Sequence, residues 1–202
     1  MRNDIFIESD IRFSFHAAWK VRKYDAHPFY QAMSGVGMRA VDFVGINNEN
    51  ELFLMEVKNY RNRPEKERER ILEKISLPKP PLAETLTQKM EETQAGIRAI
   101  STYLNKKWWY RMYFILFDRP IFQTFLLRRD RLFWMKAQQI LADFPERVQY
   151  LLWLELPSDL ENSRAHIVEY FYTEIGEEIE LYHSGQFSTQ LIQEVDFQRV
   201  FL

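Results

Sequence analysis

Asp42, Glu56 and Lys58 are the residues of this 202-residue chain whose types and spacing could do chemistry. They lie in MRAVDFVGINNENELFLMEVKNY, residues 38–60, which reads as two apolar runs joined by a polar Asn/Glu turn. If Asn47 pairs with Glu51, Asp42 falls opposite Glu56. Strand alternation then puts Asp42, Val44 and Ile46 on one face with Leu52, Leu54, Glu56 and Lys58. Val41, Phe43, Phe53, Met55 and Val57 take the other face. Facing carboxylates about 5 Å apart repel when desolvated, and a divalent cation relieves that repulsion. Mg²⁺ takes hard oxygen ligands and keeps waters and phosphate in its remaining positions. Lys58, on the same face, could orient or help deprotonate an attacking water. A salt bridge from Lys58 to either acid at a strand end is the simpler alternative.

These residues need elements to hold them. Ile7, Ile11, Phe15, Ala18 and Val21 recur at helical spacings, which predicts a helix over 5–24 capped by Asn3 or Asp4. HPFYQAMSGVG reads as a loop and RNRPEKERERILEKI as an exposed helix or excursion ended by SLPKPP. Leu82, Leu86, Met90, Thr93, Ile97, Ile100 and Leu104 predict a long helix. YRMYFILFD and VQYLLWLEL read as buried strands with a helix around RLFWMKAQQILADF between them. RAHIVEYFYTEI and EIELYH, about Gly176, predict a C-terminal hairpin, and residues 188–200 a last helix. The expected class is α/β, a mixed sheet covered by helices on both faces. One domain spans 1–202, with a core about 5–156 and an extension about 160–202.

Asp42, a spacer of about a dozen residues, then Glu56-Val57-Lys58 resembles the PD-(D/E)XK motif of the restriction-endonuclease-like nucleases. The resemblance covers about 5–118 in organisation, though only the three motif residues are specific, and Val41 replaces the family's Pro. It implies a restriction-endonuclease-like fold and hydrolysis of nucleic-acid phosphodiesters, DNA being the first expectation. Mg²⁺ or Mn²⁺ would be held by Asp42, Glu56 and the backbone carbonyl of Val57. Glu8 is the candidate for the acid that many members add from their first helix. Gln88, Lys89 or Gln94 would fill the role some subfamilies give to the next helix. Arg61 and Arg63, following Lys58, could hold a phosphate. The resemblance also allows a non-catalytic binding or scaffold module, a homodimer or a protein partner.

The rest of the sequence narrows the field. Net charge is −2 and the pI about 6.1, so any basic surface must be local. No Cys is present, which excludes disulfides, thiolate metal sites and a Cys nucleophile and fits a reducing cytoplasm. The first ten residues, with their acids, do not read as a signal peptide, and no apolar run approaches a membrane span. LLRRDR (Arg128, Arg129, Arg131) could touch phosphates, and NKKWWYR could stack bases, but an exposed loop and a core-packed Trp pair are the plainer readings. The four His have no zinc spacing, and Gly35 and Gly37 follow no strand at nucleotide-loop distance.

Overall fold

The computed structural model describes residues 4–15, 18–35, 37–76, 80–105, 130–160, 162, 166–167, 169, 179–182 and 194–196. Its first 23 residues contain strands, not the expected helix: β1 (Asp4–Glu8), β2 (Ile11–Phe15) and β3 (Lys20–Lys23). A spacing of four satisfies a period of two as well as one of 3.6, so Ile7, Ile11 and Phe15 did not discriminate. Phe6, Phe13 and Phe15 do, because they alternate along two strands that pair Phe6 with Phe13. Ser9 and Asp10 turn the chain with φ of 49° and 63°, the left-handed pair of a two-residue hairpin turn. Ile7, assigned to the buried stripe by its spacing, is 68% exposed on the outer face.

HPFYQAMSGVG, expected as a loop, holds a short helix, α1 (Pro28–Ser34). Pro28 sits in its first turn, where no N–H is needed, and His27 Nδ1 caps it by accepting the Phe29 N–H at 3.3 Å. The hairpin follows as β4 (Phe43–Ile46) and β5 (Leu52–Asn59). Its pairing of Phe43 with Met55 and Ile46 with Leu52 is the expected register, closed by Asn47 N–H to Glu51 O at 3.0 Å. α2 (Arg68–Ser76) is docked through Ile71 and Ile75, both buried, so the charged stretch is no free excursion. α3 (Pro81–Asn105) buries every residue of the predicted stripe. α4 (Asp130–Asp143) and β6 (Val148–Glu155) stand where a helix and its following strand were expected, while YRMYFILFD lies outside the described residues.

The main sheet is mixed and five-stranded, in the order β3-β4-β5-β6-β7. β3, β4 and β5 form an antiparallel meander, and β6 returns parallel to β5 after α3 and α4. β7 (Ile179–Tyr182) adds parallel to β6, which corrects the expected C-terminal hairpin. Its proposed partner segment is helical at His166, Ile167 and Glu169, and Gly176 lies outside the described residues. β8 (Glu194–Asp196) pairs parallel with β2 where a last helix was expected.

Two cores follow from strand alternation. Val44, Ile46, Leu52 and Leu54 face α2, α3 and α4, with Leu152 and Leu154 of β6 beside them. Phe43, Phe53, Met55, Val57 and Trp153 face the β1–β2 hairpin. Among the described residues this second face is covered by the strands of the β1–β2 hairpin, where helices were expected on both faces. The aromatic residues interlock there, with Phe13 edge-on to Phe43 and Trp153 at 5.5 Å each. Gly45 makes room for the Phe53 ring, since a Cβ on it would lie 2.1 Å from the ring tip.

Candidate metal and catalytic site

The site forms where β4 leaves the ladder. Pairing of Phe43 with Met55 would be followed by Val41 exchanging hydrogen bonds with Val57. Instead Val41 turns away and donates its N–H to Thr93 Oγ1 of α3 at 3.1 Å. The Val57 N–H is taken by Asp42 Oδ2 at 2.7 Å. On its other side the Asp42 carbonyl accepts from Tyr24 N–H at 2.8 Å. Asp42 is therefore held between the ends of β3 and β5 and is only 8% exposed. Burial, reinforced by Glu56, pushes its carboxyl up to about 7, against the pull of the Val57 N–H and Lys89.

Glu56 is fully buried on the face that the register gives to position 42. Its Oε1 accepts from the ammonium of Lys58 and from that of Lys89 on α3, the latter at 2.6 Å. Its Oε2 is buried with no hydrogen-bond partner. Burial pulls the Lys58 pKa down, but the adjoining Glu56 and Asp42 outweigh it and hold it above the ordinary value. Lys58 is accordingly an ammonium, a donor and positive charge rather than a proton acceptor.

Glu8 lies near Asp42, but it comes from the end of β1 and not from the expected helix. Its carboxylate accepts from Lys23 at 2.7 Å and from Ser9 Oγ at 3.1 Å. Carboxylate oxygens of Glu8, Asp42 and a residue the sequence did not flag, Asp25, lie within 4.8 Å of one another. Asp25 follows Tyr24 just past β3. Burial raises its carboxyl above the usual range, Lys23 lowers it and Glu8 raises it further, and its Oδ1 is buried without a partner. The Tyr24 hydroxyl packs against Gly96 of α3, where a Cβ would lie 2.2 Å from it.

Not every candidate reaches the site. Gln88 bonds Glu92 at 2.7 Å on the exposed side of α3, and Gln94 bonds the Tyr150 hydroxyl at 2.7 Å and Arg98. Helical geometry gives the inward position to Lys89, between them. Arg61 pairs with Glu155 at the end of β6, 3.3 Å away. Arg63 instead lines a polar cavity of about 280 Å³ with Ser9, Asp10, Asn59, Asn62 and Pro64. That cavity begins one residue beyond Glu8 and one beyond Lys58. Arg128, Arg129 and NKKWWYR lie outside the described residues.

The donor set suits a hard cation. Its ligand atoms are carboxylate oxygens, and two of them, Asp25 Oδ1 and Glu56 Oε2, are buried with hydrogen bonds unmade. The Val57 carbonyl leaves an extended strand on the same edge as its N–H, and so on the Asp42 side. Compared with models of protein families, with curated proteins and with solved structures, the chain finds no match. Among the described residues no helix is long and apolar enough to cross a membrane.

Proposed function

We propose that this chain is a Mg²⁺- or Mn²⁺-dependent nuclease of the PD-(D/E)XK type, hydrolysing phosphodiester bonds of a nucleic acid, DNA first. One observation carries the reading: Asp42, just before β4, accepts the Val57 N–H and lies close enough to Glu56 for the two carboxyls to repel, and Lys58 touches Glu56. Asp42, Glu56, the Val57 carbonyl and Glu8 are the cation's ligands. A bound divalent cation supplies Lewis-acid stabilisation of charge developing on the phosphate. The strand order of a meander followed by a helical crossover to a parallel strand supports the family's layout. Its first helix is replaced here by the β1–β2 hairpin.

In this reading Lys58, kept protonated by Glu56 and Asp42, holds and polarises the attacking water and faces the scissile phosphate. Lys89 shares Glu56 and leaves Lys58 free to turn outward without stranding a buried charge. The polar cavity with Arg63 adjoins the site through Ser9 and Asn59, next in sequence to Glu8 and Lys58.

A second reading, a nuclease-fold module that binds without turnover, is favoured by the closure of both ammonium groups on Glu56 itself. Cleavage assays on single-stranded DNA, double-stranded DNA and RNA with Mg²⁺ separate the two. Nuclease action predicts products from wild type and a loss of at least about 10²-fold in Asp42→Ala and in Lys58→Ala. Equal activity in both variants would place the chemistry elsewhere, and binding without products would favour the module.

A further inference from the structure

We infer that the polar cavity beside the proposed centre holds one unpaired guanine of a single-stranded nucleic acid. The inference rests on the nuclease reading for the identity of its ligand, but on different atoms for its geometry. Two turns form the cavity. Ser9 and Asp10 join β1 to β2, and Tyr60–Arg63 closes a turn beyond β5 through the Arg63 N–H to the Tyr60 carbonyl at 3.2 Å. Asn59 ties the two turns together. Its amide donates to the Ser9 carbonyl at 2.8 Å, and its side-chain oxygen accepts the Arg61 N–H at 3.2 Å. The Ser9 hydroxyl is engaged with Glu8. Asn59 and Ser9 are therefore walls, held in place before any ligand arrives, which lowers the cost of binding.

Three other lining groups keep hydrogen-bonding capacity. Among the described residues the side chains of Asp10 and Asn62 make no hydrogen bond, and the Arg63 guanidinium reaches Glu67 only at 4.0 Å, beyond hydrogen-bond range. They offer a carboxylate that accepts, a guanidinium that donates and an amide that does both. The Asp10 carboxylate disfavours a free phosphate or other anion as occupant. An uncharged ring with donors and acceptors on its edges fits this lining, and about 280 Å³ is room for one such ring rather than for a longer ligand. Guanine alone among the bases combines two adjacent donors, N1–H and the 2-amino group, with two adjacent acceptors, O6 and N7. The donors suit Asp10 and the acceptors suit the fork of Arg63. The donor edge is the one that a paired guanine gives to cytosine, so the strand must be unpaired at this base. Ser9 and Asn59 follow Glu8 and Lys58 in sequence, so a base held here neighbours the phosphate at the centre.

Fluorescence anisotropy of labelled single-stranded DNA in EDTA, with the full chain, tests this without relying on cleavage. The probes are a short oligothymidylate and the same strand with guanine, hypoxanthine or adenine at its centre. Wild type should bind the guanine probe at least about fivefold tighter than the thymidine or adenine probe, the low end of what one bidentate base contact discriminates. Hypoxanthine, which lacks the 2-amino group, should keep only part of that preference. Asp10→Asn and Arg63→Ala should each bring the ratio of guanine to thymidine affinity towards one. Asn tolerates the left-handed backbone at position 10, where φ is 63°, so Asp10→Asn should keep the wild-type circular dichroism spectrum and melting temperature. Annealing the guanine probe to its complement should abolish the preference. A wild type that binds the guanine and thymidine probes equally, or a preference that survives in both variants, overturns the inference. Mg²⁺-dependent cleavage of the same probes separates the two readings. Cutting of every probe without a guanine preference in binding removes the pocket and leaves the nuclease centre standing. A guanine preference that both variants abolish, in a protein that cuts none of the probes, leaves the pocket standing and removes the nuclease.

Discussion

Asp42 accepts the backbone N–H of Val57 at 2.7 Å, where the sheet's own pattern calls for a strand carbonyl. A side chain has replaced a ladder partner, and the exchange frees the end of β4 to swing towards α3. It also fixes one acid against the strand that carries Glu56 and Lys58. The spacing of the motif is thus a consequence of how the ladder ends.

The raised pKa of Asp42 has a defined effect on stability. Between the ordinary carboxylate range near 4 and its folded value of about 7, the folded state binds more protons than the unfolded one. In EDTA, stability should therefore fall as pH rises through that window, by about 1–4 kcal/mol. Asp25 contributes in the same direction. Thermal melts at pH 5 and pH 7.5 should show the drop, Asp42→Asn should flatten it, and Mg²⁺ should restore the melting temperature at pH 7.5. A stability that rises with pH in EDTA would contradict the burial of these acids.

Lys58 and Lys89 neutralise one oxygen of Glu56 together, so their removal should be far from additive. Either Lys→Ala change leaves one ammonium in place. Losing both strands a fully buried carboxylate and should cost about 3–5 kcal/mol. Urea unfolding of the two single variants and the double variant measures this coupling. A double variant no less stable than the sum of the singles predicts would mean that the two ammonium groups act independently. Adding Glu56→Gln to the double variant should recover much of the loss.

Gly45 should tolerate no side chain. Its Cβ would enter the buried Phe53 ring, and Gly45→Ala should lower stability by about 1–3 kcal/mol. Phe53→Leu combined with Gly45→Ala should cost less than the sum of the two changes, as read from their unfolding midpoints. Strict additivity would show that the ring does not occupy the glycine's space.

How much of this was legible in the chain depends on whether the signal was local. The β4–β5 register followed from one turn, and the buried face of α3 from seven residues at helical spacing. The first strands were misread because Ile7, Ile11 and Phe15 satisfy two periods at once. The Ser9-Asp10 turn, which decides between them, lacks the Asn-Gly form that announces such hairpins. Asp42, Glu56 and Lys58 could be named from type and spacing, and Glu8 only through the family resemblance, on an expected helix that is a strand. Asp25 could not, since it reaches the cluster only through the pairing of β3 with β4 beside the end of β1. Lys89 could not be chosen over Gln88 and Gln94 until the rotation of α3 about its axis was known.

The account's central claim is that Lys58 acts on a phosphodiester held at a cation bound by Asp42 and Glu56. Lys58→Met tests it most directly, with Mn²⁺ binding and DNA cleavage measured on the same preparation. Lys89 still compensates Glu56, so the variant should fold and bind Mn²⁺ while its cleavage rate falls at least about 10²-fold. A Lys58→Met protein that cuts as fast as wild type, or a wild-type protein that binds Mn²⁺ and cuts no nucleic acid, would contradict it.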